Sequence, residues 1–496
     1  MKSNSTDILV IGSGASGLFF SLKTALQRPD LQILIMTKSG AENSNTRYAQ
    51  GGIAVVTDNL KLSFEKHIED TMKAGGDLSN REVVEMVVYQ APERLKELLD
   101  FNVQFDKKSS GDWDLGLEGG HTQHRILHHK DISGSEILNK LLLQVQNTPN
   151  ISLIEDCIVF DLIVDDSGCV GAIYFNQKEA RLETIGAKAT LLCTGGSGQV
   201  FKHTTNPIIA TGDGVAIAHR IGAKICDMQY IQFHPTALYE KDKNPYFLIS
   251  EAVRGFGAYI VNDKNERFVF ETDDRGELAT RDIVSNAIGI ELEKSGKDYV
   301  YIDCRHLDYE KFYKHFPTIT DYCNSIGIDI RKDLIPIVPV AHYQCGGIDV
   351  DMDSQTSIPN LFAVGECART GLHGNNRLAS NSLLEALVYA HQSSQFICAH
   401  IKDGNTNLNS IIDEQVLPKV VNQYSDELVT MKELLQRTMT DLFIKNANPM
   451  KAKSIIADIH SKCYKLLQHN SISLQLKELQ NLVNTAELIC NAIQIN

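Results

Sequence analysis

Nowhere does the 496-residue chain carry two cysteines at C-x-x-C spacing. Its eleven cysteines are scattered singly from Cys157 to Cys490, and the count is odd. That argues against a disulfide scaffold or a zinc module and fits a reducing cytoplasm. An excess of basic residues is also missing, since 48 Lys and Arg face 62 Asp and Glu, a net charge of −14. General binding to nucleic acid or to an anionic membrane wants a basic face, so neither is expected. A local basic pocket for an anionic substrate stays compatible with this balance. No apolar run reaches the ~18 residues that a membrane helix needs. Residues 8–20 are apolar enough to suggest a secretory signal. Glycine and serine interrupt them in a nucleotide-loop pattern, however, and no small-residue cleavage site follows. Internal repeats and low-complexity segments are absent.

The composition is that of a globular protein, 43% hydrophobic and 22% charged. Single cores stop growing near ~250 residues, so two or three domains are expected. Asp7-Ile-Leu-Val-Ile11 reads as a buried strand. A Gly/Ser loop follows, then a helix to about Gln27 and a second strand at 31–36. Residues 82–100 and 134–146 have helical periodicity. Residues 151–164 and 171–175 alternate like strands around the turn Asp165-Asp-Ser-Gly168, and buried strands are expected at 189–193 and 361–364. A nucleotide-binding sheet is thus assembled from both ends of the first 400 residues. The segment between them has a mixed pattern, and residues 410–494 contain no glycine and a 3.6-residue periodicity. The predicted fold is α/β. A Rossmann-like nucleotide-binding domain (1–240 and 346–404) carries an inserted α+β capping domain (241–345) and a separate C-terminal helical bundle (405–496).

Gly12-Ser13-Gly14-Ala15-Ser16-Gly17 matches G-x-G-x-x-G, placed after a strand and opening a helix. The glycines serve a tight turn, close approach to a pyrophosphate and helix–strand packing. The helix N-terminus then offers free N–H groups to the anion. One feature departs from NAD sites. The acidic residue that usually holds the ribose is replaced by Lys38. Gly195-Gly196 and Gly365-Glu366 add two more strand-end loops, and an extended dinucleotide across several strand ends suggests FAD more than NAD.

At this point the strings resemble the succinate dehydrogenase/fumarate reductase flavoprotein family, and within it the branch that oxidises L-aspartate. They are Thr46-Arg-Tyr-Ala-Gln-Gly-Gly52, Glu118-Gly-Gly-His121 with His124-Arg-Ile-Leu-His128, Gln232-Phe-His-Pro-Thr236, Arg281-Asp-Ile283, His342-Tyr-Gln-Cys-Gly-Gly347 and Gly371-Leu-His-Gly-Asn-Asn-Arg377. The resemblance implies an FAD site made by Ser13, Gly14, Ala15, Ser16, Lys38, Asn45, Thr46, Arg47, Tyr48, Ala49, Gln50, Gly51, Gly52, Asp213, Glu366, Ser382 and Leu383. Respiratory members link flavin covalently through a histidine in a Ser-His-Thr string. Here that string is Ser44-Asn45-Thr46, and an asparagine cannot make the bond, so FAD is expected to be non-covalent. The family's Glu-Ser-Arg-Gly and Asp-Tyr-Pro strings beyond the helical bundle do not occur in this chain.

A dicarboxylate needs two separate clamps, and arginine suits the task because its planar fork meets a carboxylate bidentately. The resemblance implies Arg377 and His342 for one carboxylate, and His234 with Ser250 for the other. It implies Arg281 as the proton-transfer residue, fed by Glu251 and Arg254, and Glu118 as the partner of a substrate amine. The implied reaction is oxidation of L-aspartate to iminoaspartate with oxygen or fumarate as acceptor, the first step of de novo NAD synthesis, with the product passing to a quinolinate synthase. The alternative is a soluble fumarate reductase or succinate dehydrogenase flavoprotein. His121, His124 and His128 have near-helical spacing, but no acidic or cysteine ligand completes a known pattern, so no metal is expected. Cys345 and Cys367 read as small buried residues.

Overall fold

The computed structural model describes residues 5–402, 419–421, 425–444, 447–468 and 471–493. Its central sheet is built on Ser5–Ile11. That strand pairs in parallel with Ile33–Met36 on one side and with Arg181–Leu192 on the other. Ile151–Ile154 extends the first side, also parallel. On the far side Arg181–Leu192 turns the sheet antiparallel through Gly168–Asn176 and Cys157–Asp165. Leu361–Ala363 joins the end of Arg181–Leu192 in parallel, bringing the late chain back to the early sheet.

The continuous apolar run at 8–11 has a simple cause, because both faces of the strand are covered. Ile8 and Val10 pack with Ile33 and Ile35 under the helices Ala15–Gln27, Arg81–Asp100, Ser133–Gln146 and Asn381–His400. Leu9 and Ile11 point the other way with Leu34 and Met36. The core they enter also contains Leu435 and Met439, Ile456 and Ile459, and Leu482, Val483 and Ala486. These come from the helices Asp426–Ile444, Pro449–Leu467 and Leu474–Ala492. The C-terminal helices therefore share one core with the nucleotide sheet, rather than standing apart as the sequence suggested. The boundary expected at 404/405 lies outside the described residues.

A second sheet has four antiparallel strands in the order Ile231–Leu238, Ile335–Gln344, Val300–Asp303 and Tyr259–Val261. Helices Arg281–Ser295, Tyr309–His315 and Pro317–Ser325 enclose its own core of Ile260, Ile288, Ile302, Phe312 and Ile337. Its edge strand Ile231–Leu238 precedes the boundary expected at 240. Pro235 in that strand argues against regular pairing, and the ladder does shift register between His234 and Ala237. The irregularity lies in the segment that carries His234.

Candidate active site

A cavity of about 520 Å³ runs from the nucleotide loop to the mouth of the second sheet. All the candidate site residues line it except Gly17 and Arg254.

At one end the wall is mostly main chain. Gly12 adopts φ +117°, and a Cβ there would stand 2.0 Å from the Cys193 carbonyl oxygen. A Cβ on Gly17 would stand 2.2 Å from the Gly12 carbonyl oxygen, so that glycine lets the helix press against the loop rather than touch a ligand. Helix Ala15–Gln27 has no acidic residue in its first turn, leaving its N-terminus open to an anion. The Thr46 hydroxyl accepts from the Ala15 N–H at 3.1 Å and ties the 45–52 loop to that helix start.

Lys38 Nζ donates to Thr211 Oγ1 (2.8 Å) and lies 3.1 Å from an Asp213 oxygen and 2.6 Å from Glu478 Oε1. Burial acts to lower the Lys38 pKa, but the two carboxylates outweigh it and the net shift is upward, so the ammonium stays charged. Asp213 is lowered for the matching reason, with Lys38 overcoming burial. Asp213 also accepts from Asn481 Nδ2 at 2.8 Å. Glu478 and Asn481 sit on helix Leu474–Ala492 and carry no local sequence signal, being more than four hundred residues from Lys38.

Asn45 Nδ2 donates to Glu366 Oε2 at 2.8 Å, while its own Oδ1 is buried without a partner. Burial pushes the Glu366 carboxyl up to about 7. Ser44 Oγ, Gln50 Oε1 and Thr194 Oγ1 are likewise buried, unpartnered and on residues lining the cavity. Unpaired buried polar atoms are costly. This row, with the glycine cradle, fits a long polar dinucleotide such as FAD.

The other end is crowded with charge. Arg281 Nε donates to Glu251 Oε2 at 2.5 Å, and Nη1 donates to Gln232 Oε1 at 3.0 Å. Arg254 Nη2 holds the other Glu251 oxygen at 2.7 Å, and Nη1 donates to the Glu277 carbonyl. Arg254 is fully enclosed one step behind the cavity wall. Burial opposes ionisation of Glu251, but Arg281 and Arg254 prevail and its pKa is lowered. The Arg281–Glu251–Arg254 row is therefore a buried, ionised chain.

Arg377 lies over the Tyr343 ring at 4.4 Å and donates to Ser382 Oγ at 2.8 Å, leaving Nε unpartnered. Burial, then repulsion from Arg281, lowers it to about 10. The rings of His234 and His342 are 4.9 Å apart. Both are pushed well below the usual imidazole range, first by burial and then by Arg281, so both are neutral. His234 Nδ1 accepts the Thr236 N–H at 3.2 Å, which assigns the proton to Nε2, and that atom is buried with no partner. His342 Nδ1 is 2.7 Å from Thr205 Oγ1. The Ser250 oxygen accepts from the Ala252 N–H and caps helix Glu251–Gly255, so its hydroxyl proton remains to donate. Arg377 Nε and His234 Nε2 thus remain unpartnered on residues that line the cavity.

Glu118 is 3% exposed and accepts from Ser380 Oγ at 2.6 Å. Burial, then the charge of Glu251, raises its pKa. A solvated loop carboxylate would show neither property. The loop 117–125 that carries it joins the paired strands Leu115–Gly116 and Ile126–Leu127. His121, His124 and His128 therefore do not lie on a helix, contrary to their spacing. His121 is tied to the Ala379 carbonyl and to Arg125. Gln232 opens the Gln232-Phe-His-Pro-Thr236 string, and no local pattern marks it as part of the site. It links Arg281 to Asn376 (2.6 Å) and to the Arg377 carbonyl (2.7 Å). All eleven cysteines are unpaired, with Cys345 and Cys367 buried.

The FAD binding domain family matches residues 7–383. L-aspartate oxidase of Yersinia pestis is 38% identical over 504 residues, covering 98% of this chain and 92% of that protein. The chain belongs to the L-aspartate oxidase family. The Synechocystis L-aspartate oxidase is 42% identical over 424 residues, 84% of this chain and 74% of its own length. Among solved structures, an E. coli quinol fumarate reductase superposes with a TM-score of 0.88 at 27% identity, covering 99% of this chain and 89% of that one. The fold described above, an FAD domain with a cap and a helical C-terminal region, is the flavoprotein fold of these relatives.

Proposed function

We propose that the chain oxidises L-aspartate to iminoaspartate with FAD as cofactor and oxygen or fumarate as acceptor, the opening step of NAD synthesis. Unpartnered donors on Arg377 and His234 and one buried carboxylate, all on residues lining a single cavity, carry this reading. Arg377 and His342 would hold one substrate carboxylate, and His234 with Ser250 the other. Glu118 meets the ammonium, which also relieves the cost of a buried carboxylate with a single hydroxyl partner. Arg281 moves the proton, and Glu251 and Arg254 fix its guanidinium and hold its charge. An arginine is a poor proton carrier in water; the enclosed ionised row supplies the exceptional surroundings. Bound FAD supplies the hydride acceptor, and the chain orients the substrate against it.

Residues 241–345 act as the cap over the cavity, set on the FAD-binding parts 1–240 and 346–404. FAD is held without a covalent bond, because Asn45 has no nucleophilic ring to offer. Acid precipitation should leave all the flavin in the supernatant; flavin retained in the pellet would refute this. Iminoaspartate goes on to a quinolinate synthase in the cytoplasm, where eleven free thiols are at home. The whole reading is tested by adding aspartate, then succinate, to the oxidised FAD-loaded protein without oxygen. Bleaching of the flavin by aspartate but not by succinate is the expected result. The reverse order of reactivity would favour a succinate/fumarate enzyme, and no bleaching by either would sink the oxidase reading.

A further inference from the structure

Away from the cavity, Asp114, His128 and His315 converge from two parts of the fold. Their ligand atoms all lie within 4.8 Å of one another, and all three side chains are half-buried. Asp114 and His128 flank the paired strands Leu115–Gly116 and Ile126–Leu127, at the base of the loop that carries Glu118. His315 ends helix Tyr309–His315 of the second-sheet unit. Its ring lies 6.1 Å from that of His128 and 5.4 Å from that of Phe256.

We infer that Asp114, His128 and His315 form a binding site for one divalent transition-metal ion, pinning the cap helix to the hairpin beneath it. Two imidazoles and one carboxylate suit zinc, iron, nickel or cobalt better than calcium or magnesium, which prefer all-oxygen sets. Water fills the remaining positions. Ligand atoms about 2.1 Å from a zinc ion are at most about 4 Å apart, so small side-chain rotations close the set. A supporting shell is already in place. An Asp106 oxygen lies 3.3 Å from His128 Nδ1, which leaves Nε2 for the metal, the carboxylate–histidine–metal arrangement of natural sites. Asp106 is itself fixed, since Oδ2 accepts the Lys130 N–H at 2.6 Å and its backbone bonds those of His128 and Asp114. The inference is independent of the reaction proposed above.

The chain's one tryptophan, Trp113, adjoins Asp114 and reports on the site. FAD-loaded protein, stripped of metal by a chelator, is titrated with Co²⁺ while Trp113 emission is followed. Saturable quenching at one equivalent, reversed by Zn²⁺, is expected. Asp106→Asn should weaken it by about 10–100-fold, and Asp114→Asn or His315→Gln by more. Unsaturable quenching, or equal affinity in wild type and the ligand variants, overturns the inference. Each variant is checked for its flavin spectrum. If a hairpin variant fails to fold, His315→Gln, on the end of the cap helix, decides.

Discussion

The two ends of the cavity recognise by different physics. At the nucleotide end the wall is glycine backbone, a helix N-terminus and unpartnered neutral oxygens, with charged side chains in the Lys38 cluster, at Arg47 and at Glu366. At the other end three arginines, two carboxylates and two neutral imidazoles are packed together and hold each other in place. A dinucleotide is long and can be held by many weak contacts. A four-carbon dicarboxylate is small and must be held by a few strong ones in a dry place, where charge-assisted hydrogen bonds are worth most. Damage to the first end should therefore cost binding, and damage to the second should cost chemistry.

The largest effect is expected from Arg281→Lys. A lysine keeps the charge but loses the fork that grips Glu251 and Gln232 together. Turnover should fall by about 10²–10⁴, the usual range for losing a positioned proton-transfer group, while FAD stays bound. Turnover near wild type would remove Arg281 from the mechanism and blur the contrast between the ends.

A smaller effect concerns Glu366, at the junction. Its folded-state pKa of about 7 lies above the ordinary carboxylate value. The folded protein thus holds a proton that the unfolded chain releases. The contribution is fully present below about 4.5 and is lost as pH rises towards 7. Melting temperatures of the FAD-free protein should show that decline, and Glu366→Gln should flatten it. An unchanged slope in the variant would assign the pH dependence to other groups.

The smallest effect is expected from Lys38→Met. It leaves Asp213 and Glu478 without their shared cation, so FAD affinity should drop by about tenfold, comparable to one charged hydrogen bond. At saturating FAD, kcat should be unchanged. A loss of kcat with normal FAD affinity would contradict the division between binding and chemistry.

The nucleotide end was largely legible in the sequence because its signal is contiguous. A strand, a Gly/Ser loop and a helix stand in register at 5–27, and strand-end loops recur at 195 and 365. The substrate end was legible only through resemblance. Residues 118, 234, 250, 281, 342 and 377 are brought together by a strand ladder, a hairpin and three helix starts, and no periodicity connects them. Three features escaped notice for physical reasons. Strand Ile231–Leu238 hides behind Pro235 and a register shift. The C-terminal helices look self-sufficient because their apolar stripes say nothing about which core they enter. Glu478 and Asn481 reach Lys38 and Asp213 from a helix whose only local pattern is amphipathic.

The contrast rests finally on Glu118, the group proposed to distinguish aspartate from its diacid analogues. Arg377, His342, His234 and Ser250 are the proposed clamps for carboxylates that aspartate and fumarate share, whereas Glu118 is buried with the Ser380 hydroxyl as its side-chain hydrogen-bond partner among the described residues. Glu118→Gln keeps the shape and removes the charge. The decisive measurement is kcat/KM for aspartate oxidation and for fumarate reduction in wild type and variant. The account predicts a loss on the order of 10² or more for aspartate, the scale of breaking one partner from a buried charge pair, with fumarate reduction nearly intact. Equal losses in both reactions would contradict it, making Glu118 a part of the site's general architecture.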